Sequence, residues 1–365
     1  MAQISVIIPV YNRANLIGNT LWSLLNQTLP ADEVIVVDDG STDGTTEVTR
    51  AAFAKWVSRG LEKGKLPELK ILFQENKGPA AARNAGFKAS TGKFIHFFDS
   101  DDLAALNKHE VQFSTLQKSG ADIAIGPWVQ GRFTGNQFQA ENHVFQQRGL
   151  PEGDLIKALL TNWSIVPHSC LFRRSIVEMS GGFPEDLFLG EDQFMFLSCL
   201  LAGARVVHTP DTIEFYRLGD VSKITENEKW STRRIWEWTH FLLKAREICL
   251  QHCIDPMEWF GFRRRVWETQ QDLCRCDSVD ENLQNKLGEF VQPGIGAELY
   301  RWHRRIERWG GGLQQRMTGG RAHDSFRMSP VTQKQIRFLN QLEYSYDAPR
   351  SILWFSCVLR SYDIL

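Results

Sequence analysis

Short apolar runs rich in β-branched residues alternate with helical patterns in the N-terminal part of the chain. The runs cover residues 4–10, 34–37, 69–73 and 94–98. Between the first two, apolar residues from Leu16 to Leu25 recur at the three- and four-residue spacing of a helix. Because parallel strands need helical crossovers, this alternation predicts an α/β fold with a doubly wound, mostly parallel sheet flanked by helices.

The pattern changes further along the chain. Residues 122–126 have the pattern of another strand, and the Gly-, Phe- and Gln-rich stretch 131–147 is typical of a β-hairpin or loop. After about residue 226 the chain is rich in Trp, Arg and Gln at helical spacing. We therefore predict one α/β domain over residues 1–224 and a helical C-terminal region over residues 225–365.

Composition and charge narrow the class of protein. Of the 365 residues, 42% are hydrophobic and 23% are charged, which is typical of a globular protein. The formal net charge of -1 gives no global field to attract nucleic acid, and we expect no nucleic-acid partner. Seven cysteines without a secretory leader lead us to expect a reducing, cytoplasmic setting. No stretch approaches the roughly 18 apolar residues of a membrane-spanning helix, although attachment to the membrane surface stays open.

Two common nucleotide-binding motifs are missing from the sequence. The turn after the first predicted strand, residues 9–13, contains no glycine, which argues against the G-x-G-x-x-G fingerprint of dinucleotide-binding enzymes. No G-x-x-x-x-G-K-[ST] segment occurs either, which argues against an ordinary kinase or ATPase. A nucleotide site in this chain must therefore use other residues.

Polar clusters follow all of the predicted N-terminal strands. They are residues 11–13, residues 38–43, residues 76–78 leading to Arg83, and residues 99–102. In an open parallel sheet, ligands bind in the crevice beyond the carboxyl ends of the strands. The clusters therefore predict a ligand site at that edge of the sheet.

The acidic cluster Asp99, Asp101 and Asp102 is the sharpest of these signals. Crowded carboxylates repel one another unless a cation compensates, so we expect a hard divalent ion, Mg²⁺ or Mn²⁺. The alternative is that Ser100, Asp101 or Asp102 caps a helix that begins near Leu103. The other polar clusters favour the metal site.

For the remaining candidates, a structural role and a functional role are both open. Asp38 and Asp39 either form a turn before a helix over residues 45–53 or accept hydrogen bonds from a base and a ribose. Arg83 either lies on the surface or pairs with diphosphate oxygens or with the carboxylates. Asp192 either caps the helix that follows it or acts as a general base, which the helix N-terminus would keep ionised.

Taken in order, these segments resemble glycosyltransferase family 2, the inverting nucleotide-sugar transferases with the GT-A fold, over roughly residues 3–224. The matching segments are residues 5–12, 37–41, 76–78 with 82–86, 99–102 and 190–192. The resemblance implies a nucleotide-sugar-binding half over residues 1–120 and an acceptor-binding half over residues 121–224. The helical C-terminal region would follow this catalytic domain.

The resemblance further implies a role for each matching residue. Asp39 would contact the base, Asp99 the ribose and Asp101 a Mn²⁺ or Mg²⁺ ion, and Asp192 would be the catalytic base. The other residues of the nucleotide-sugar site would be Pro9, Tyr11, Asn12, Asp38, Asn76, Arg83 and Ser100. The partners would be a nucleotide-diphosphate sugar, with a UDP-sugar favoured, and a glycan or lipid-linked acceptor. The reaction would be a single displacement with inversion.

Weaker candidates for acceptor or diphosphate contacts are Trp163, His168, Glu191 and Arg217. For His168, a structural histidine with satisfied hydrogen bonds is an equally open alternative. The family's Y-R-x-H segment is altered, because Gly219 stands in place of the histidine, and Arg217 or Lys223 would substitute for it. The Q-x-x-R-W motif of processive polymer synthases is not matched at Glu298, which favours a single-addition transferase.

The C-terminal region carries two further hypotheses. Residues 299–313 form a basic amphipathic pattern that either lies on anionic lipid or packs its tryptophans against the first domain. Cys249, Cys253, Cys274 and Cys276 would offer four thiolates to a zinc ion, but their irregular spacing favours ordinary buried cysteines.

Two other functional classes remain as alternatives. One is a non-catalytic carbohydrate- or partner-binding protein on the same scaffold, since a fold does not guarantee activity. The acidic cluster and Asp192 argue against it, because a binding module needs no base. The other is a nucleotidyltransferase, which the absence of a glycine-rich loop after the first strand disfavours.

Overall fold

The predicted alternation of strands and helices is confirmed by the computed structural model, which describes residues 3–59, 66–134, 137–219, 231–273 and 329–330. The strands are β1 Ile4–Val10, β2 Glu33–Asp38, β3 Glu68–Phe73, β4 Phe94–Phe97, β5 Leu103–Ala104, β6 Ile123–Ile125, β7 Trp128–Thr134, β8 Gln137–Phe145, β9 Cys170–Arg173, β10 Val206–His208, β11 Glu214–Arg217 and β12 Ser329–Pro330. The helices are α1 Ile17–Leu25, α2 Thr45–Ser58, α3 Pro79–Ala89, α4 Lys108–Ser119, α5 Leu155–Thr161, α6 Arg174–Ser180, α7 Glu191–Leu201, α8 Ser231–Gln251 and α9 Phe260–Leu273. Short 3₁₀ helices cover Pro167–Ser169 and Pro256–Glu258.

The central sheet has seven strands in the order β10-β6-β9-β4-β1-β2-β3. Strands β4, β1, β2 and β3 run parallel, as do β10 and β6, whereas β9 is antiparallel to both of its neighbours. The sheet is therefore mostly parallel, as predicted. The strand order reverses between β1 and β4, and a doubly wound sheet opens its ligand crevice at such a point.

Alternate residues of the central strands build two apolar layers, because successive side chains point to opposite faces of a sheet. Ile7 and Val37 belong to the core on the side of α3 and α7, whereas Ile8 and Val36 belong to the core on the side of α1 and α2. Helix α3 lies very close to the sheet at Gly86, where a β-carbon would collide with Ile7 and Val37. This close approach brings the α3 side chains to the edge of the sheet where the polar clusters lie.

A second sheet of five strands has the order β12-β8-β7-β11-β5. The β7–β8 pair is the hairpin expected from the stretch 131–147. Strand β5 pairs with β11 in antiparallel register, with Phe215 opposite Leu103. The alternative of a helix that begins near Leu103 is therefore wrong: β11 takes up the backbone hydrogen bonds there, and α4 begins only at Lys108.

Helices α8 and α9 belong to the predicted helical C-terminal region, to which the short strand β12 adds a pairing with β8. Helix α8 packs against α7, and α9 packs against α5. Phe241 of α8 lies directly over Gly190, at the start of α7. None of the helices in the described ranges is long and apolar enough to cross a membrane.

Some predictions for this region concern residues that lie outside the described ones. They are the boundary at residue 224, Lys223, Glu298, the amphipathic pattern 299–313, and two members of the proposed zinc set, Cys274 and Cys276. Of the other two cysteines, Cys249 is buried and Cys253 is exposed.

Candidate active site

Asp99 is a carboxylate that contacts both Arg83 and His168 at the end of β4. Its Oδ1 accepts a hydrogen bond of 2.8 Å from Nη2 of Arg83, and its Oδ2 lies 3.1 Å from Nδ1 of His168. Burial by itself would raise the pKa of Asp99, but Arg83 and His168 together hold it well below its usual range. Asp99 is therefore ionised at neutral pH.

Arg83 connects the acidic loop to the start of α7. Besides its bond to Asp99, it donates from Nη1 to Oε1 of Glu191 at 2.9 Å. Its guanidinium carbon lies 5.1 Å from the centroid of the Phe183 ring. Only 6% of Arg83 is exposed, so it is an interior ion-pair residue and not a surface arginine. Through this residue, segments that are far apart in the sequence meet at one point.

Glu191 and Asp192 are adjacent carboxylates in the first turn of α7. Burial, and then the charge of Asp192, raise the pKa of Glu191 to about 7 despite its pairing with Arg83. Burial also raises the pKa of Asp192, against the opposing effect of Arg83. Because Asp192 lies at a helix N-terminus, we expected a lowered pKa and a readily ionised carboxylate. The burial of Asp192 instead raises its pKa.

Asp192 does not occupy the capping position of α7. That position is held by Gly190, whose φ of +81° is in the left-handed region, and no side chain makes a capping bond there. Oδ1 of Asp192 instead accepts a hydrogen bond of 2.7 Å from the backbone N–H of Gln193. Asp192 therefore accepts a free N–H in the first turn of α7, which is the structural role predicted for it, although Gly190 holds the capping position.

Asp99, Asp102 and His168 are close enough together to hold a metal ion. One ligand atom from each lies within 4.8 Å of the others. A donor set with two carboxylates suits Mn²⁺ or Mg²⁺. Burial alone would lower the pKa of His168, but Asp102 and Asp99 raise it, so the two carboxylates favour a positive charge at this point. These residues therefore fit a divalent ion.

Asp101, the residue predicted to bind the metal, lies next to this group but is not part of it. Its Oδ2 is 3.6 Å from Nε of Arg13, in the loop after β1. Its backbone carbonyl accepts a hydrogen bond of 2.7 Å from Nε of Arg217. Asp101 is 7% exposed and Ser100 is 8% exposed, so the backbone of the acidic loop is largely enclosed.

Asn12 and Asp38 join the loops that follow β1 and β2. Oδ1 of Asn12 accepts a bond of 2.9 Å from the N–H of Thr42, and the N–H of Asn12 donates to Oγ of Ser41 at 2.9 Å. Oδ1 of Asp38 accepts from the N–H of Ser41 at 2.8 Å. Asp38 thus forms the turn that was one of its two predicted roles.

Asp39 holds the loop that follows β3. Its Oδ1 accepts bonds of 2.7 Å from the Gln74 side chain and 2.8 Å from the N–H of Lys77, and its Oδ2 accepts one of 2.9 Å from the N–H of Gly78. A carboxylate has about four acceptor positions. Oδ2 therefore retains capacity for one further N–H, such as that of a pyrimidine ring.

The remaining predicted residues differ in how accessible they are. Tyr11 is 47% exposed and Asn76 is exposed, while Pro9 lies within β1 opposite Val37. A cavity of about 370 Å³ lies at the ends of β2 and β3, and its lining includes Asp38, Ser41 and Gln74. Trp163 is 3% exposed and packs edge-on against Phe196, with ring centroids 5.7 Å apart. Trp163 therefore lies in the apolar core.

Sequence reasoning missed Arg13, Lys108 and Glu214. Arg13 lies within the first polar cluster, but its pairing with Asp101 depends on β1 and β4 being neighbours. Lys108 and Glu214 form an ion pair of 2.7 Å between side chains that are both fully buried. No local pattern marks either residue, because only the tertiary fold brings β11 close to the start of α4.

Comparisons with known proteins identify the family of this chain. The family described as Glycosyl transferase family 2 matches residues 5–180. An uncharacterized glycosyltransferase of Haemophilus influenzae is 30% identical over 250 residues, which are 67% of this chain and 90% of that protein. One of Rickettsia bellii is 32% identical over 197 residues, or 54% of this chain, but this chain spans only 26% of that relative's length.

A solved structure with a similar fold is the mannosyltransferase PcManGT of Pyrobaculum calidifontis, in complex with GDP-Man and Mn²⁺. The TM-score is 0.50 at 19% sequence identity, and the match covers 82% of this chain and 83% of that one. At this identity the likeness shows a shared fold. The family match and the Haemophilus relative, nearly all of which this chain covers, show that the chain belongs to glycosyltransferase family 2.

Proposed function

We propose that this chain is a metal-dependent, inverting glycosyltransferase that moves a sugar from a UDP-sugar to an acceptor hydroxyl during glycan or glycoconjugate synthesis. One observation carries the proposal: Arg83 bonds both to Asp99, one of the candidate metal ligands, and to Glu191, next to the predicted base Asp192. The cation, the diphosphate and the acceptor would therefore all bind close to Arg83.

The loops after β1, β2 and β3 would bind the nucleoside. The remaining acceptor capacity of Asp39 Oδ2 suits the ring N–H of uracil, and the exposed Tyr11 offers an aromatic face for the base. Asp99 would approach the ribose, as the family resemblance implies. The base and ribose would thus be read by residues that the loop hydrogen bonds already hold in place.

Asp192 would be the general base. Its carboxylate would take the proton from the acceptor hydroxyl, the acceptor oxygen would bond to the anomeric carbon, and the bond from that carbon to the diphosphate oxygen would break. Attack opposite the leaving group inverts the configuration. A pKa raised by burial makes Asp192 a stronger proton acceptor than an exposed aspartate.

A divalent ion held by Asp99, Asp102 and His168 would supply positive charge against the departing diphosphate. Two of these ligands are fully buried and Asp99 is partly exposed, so the accessible side of the group faces the crevice at Asp99. Arg83 lies beside Asp99 and would add a second, fixed positive charge.

Thermal unfolding with nucleotides tests donor binding. The midpoint is measured with UDP, GDP, dTDP and ADP, each with and without Mn²⁺. A ligand present at a hundred times its Kd stabilises by about 2.7 kcal/mol, which raises the midpoint by roughly 5 to 10 °C. We expect this rise with UDP and Mn²⁺ together, and its loss in Asp99→Ala. No rise with any nucleotide would refute the transferase proposal and favour the non-catalytic alternative.

The catalytic part of the proposal needs a separate measurement. Hydrolysis of UDP-sugars in the absence of acceptor measures cleavage of the bond to the diphosphate, and the anomeric configuration of the product reports inversion. Asp192→Asn is the test variant. Glu178→Gln is its matched control, because the Glu178 side chain is 57% exposed on α6. Retention of the anomeric configuration in the transferred sugar would contradict the single displacement.

Peripheral membrane contact through the C-terminal region is the final part of the proposal. Its support is the basic amphipathic pattern of residues 299–313. Sedimentation of the full chain with anionic liposomes at low salt tests it. Recovery of all the protein in the supernatant would refute it.

A further inference from the structure

The interior behind the acidic loop contains an ion pair that the proposed mechanism does not use. Lys108 is the first residue of α4 and Glu214 is the first residue of β11, and Nζ lies 2.7 Å from Oε1. Taking both charges out of water costs several kcal/mol per ion, and their attraction often does not offset it. Replacing such a pair by well-packed apolar residues is often neutral or stabilising, so stability alone does not account for it.

Strand β11 joins this ion pair to the acidic loop. Its last residue, Arg217, donates its backbone N–H to Oδ1 of Asp102 at 2.9 Å. Its first residue, Glu214, lies opposite Ala104 in β5, the strand that directly follows the acidic loop. The position of Glu214 is therefore coupled through one short strand to the position of Asp102.

His168 also contacts the acidic loop, through the side chains of Asp99 and Asp102. Its Nδ1 is 3.1 Å from Oδ2 of Asp99 and 3.4 Å from Oδ2 of Asp102. Its Nε2 is buried and has no hydrogen-bond partner among the residues that the structure describes. Oε2 of Glu214 is likewise buried without a hydrogen-bond partner in those ranges, and the charge of Glu214 acts on the imidazole.

A metal-binding histidine normally donates its second ring N–H to a carboxylate or carbonyl, which fixes its tautomer and its orientation. Glu214 is a carboxylate on the same face of β11 as Tyr216, whose ring centroid lies 5.8 Å from that of His168. Lys108 forms an ion pair with Glu214. Asp99 and Asp102 both face Nδ1, so neither carboxylate of the acidic loop competes for Nε2.

We propose that Glu214, held by Lys108, is a positioning residue for His168. It keeps the proton on Nε2 and so directs the Nδ1 lone pair to the space between Asp99 and Asp102, where a divalent cation binds. Neither Lys108 nor Glu214 touches the cation. The inference rests on the proposed function, because it assumes that this group of ligands takes a metal ion.

Binding of Mn²⁺ alone to the full chain, measured by electron paramagnetic resonance of the free ion, tests the inference. The main variant is Lys108→Met with Glu214→Met, which removes both charges together and leaves no unpaired buried ion. We expect this variant to fold and to bind Mn²⁺ about 10- to 100-fold more weakly. His168→Ala is expected to lose at least as much affinity.

A conservative variant separates positioning from packing. In Lys108→Met with Glu214→Gln, the amide oxygen can still accept from Nε2–H, so Mn²⁺ affinity should return towards that of the wild type. The pair Arg246→Met with Asp255→Asn removes another ion pair, on α8 and the segment after it, and should leave Mn²⁺ affinity unchanged. A purely structural role predicts the same affinity in all of these folded variants.

The outcomes distinguish this inference from the proposed function. If the wild type binds Mn²⁺ and the double methionine variant binds it equally well, the inference is overturned and the proposed function stands. If the wild type binds no Mn²⁺ with or without UDP, both fail. Nitrogen-15 NMR of His168 in the Mg²⁺-loaded wild type needs no variant: a proton on Nδ1 instead of Nε2 would overturn the inference by itself.

Discussion

Replacement of Arg83 by methionine provides the most direct test of how the site is held together. Arg83 makes bonds of 2.8 Å to Asp99 and 2.9 Å to Glu191, and Asp192 lies next to Glu191 in the chain. Arg83→Met would leave these carboxylates close together in a buried place without the cation that compensates them. The fold should therefore lose stability even though methionine fills much of the same space.

The size of the loss follows from the burial of the pair. Breaking a buried ion pair by removing one partner costs about 3 to 5 kcal/mol. Two features favour the lower end: the Asp99 side chain is 26% exposed, and Glu191, whose pKa is already about 7, can take up a proton. We therefore expect a loss of about 3 kcal/mol, which lowers Tm by roughly 10 °C for a domain of this size.

Urea unfolding at neutral pH, followed by circular dichroism in the absence of metal and nucleotide, measures this free energy directly. Arg205→Met is the matched control, because that side chain is 69% exposed and its ion pair with Asp122 spans 3.9 Å. A surface pair of this kind is worth about 0 to 1 kcal/mol. If Arg83→Met costs no more than Arg205→Met, Arg83 is not the cation that stabilises the cluster.

Three other changes should give equally definite results. Asp192→Asn should lower the transfer rate by about 10²- to 10⁴-fold and keep the nucleotide-induced rise in Tm; a rate within tenfold of the wild type would exclude Asp192 as the base. Because burial raises the pKa of Asp192, the wild-type rate should fall on acidification at a higher pH than an ordinary aspartate would give, as a kcat/KM profile against pH would show. Glu33 lies in β2, where burial alone would raise its pKa, but hydrogen bonds from Lys70, Ser5 and Thr91 together lower it to about 2. The ionised Glu33 therefore stabilises the fold above the unfolded pKa of 4.5, and this stabilisation is lost as the pH falls towards 2. Glu33→Gln should accordingly flatten the dependence of the unfolding free energy on pH in that range. Gly86→Ala places a methyl group against Ile7 and 3.1 Å from Val37, an overpacking cost of about 1 to 3 kcal/mol that the better helix propensity of alanine only partly offsets; equal or greater stability in urea would contradict the close approach of α3 to the sheet.

The polar clusters at the ends of the strands could be placed from the sequence because of one regularity. Parallel neighbouring strands put their carboxyl ends at the same edge, so residues that follow four separate strands had to meet there. Asp99, Asp39 and Asn12 all lie at that edge, as expected. The family resemblance added the order of the motifs and placed Asp192 with them.

The partners of those residues were less predictable. Asp101 had the sequence position of a metal ligand, yet within the part of the chain that the structure describes the group with suitable spacing is Asp99, Asp102 and His168. Which carboxylate of an acidic run points inwards depends on how the loop turns, and Arg217 of β11 fixes that turn through the backbone of Asp101 and the side chain of Asp102. Local sequence contains no information on that contact.

The sequence by itself determined the alternation of strands and helices, the parallel sheet and the edge at which the site forms, since hydrophobic periodicity and turn residues act over a few positions. Only the tertiary structure decided the ion pairs: Arg83 with Glu191, Arg13 with Asp101, and Lys108 with Glu214. Each joins residues that lie on different elements, and pKa shifts arise from burial and neighbouring charges. Burial and the proximity of charges from different elements arise only after the strands and helices have packed.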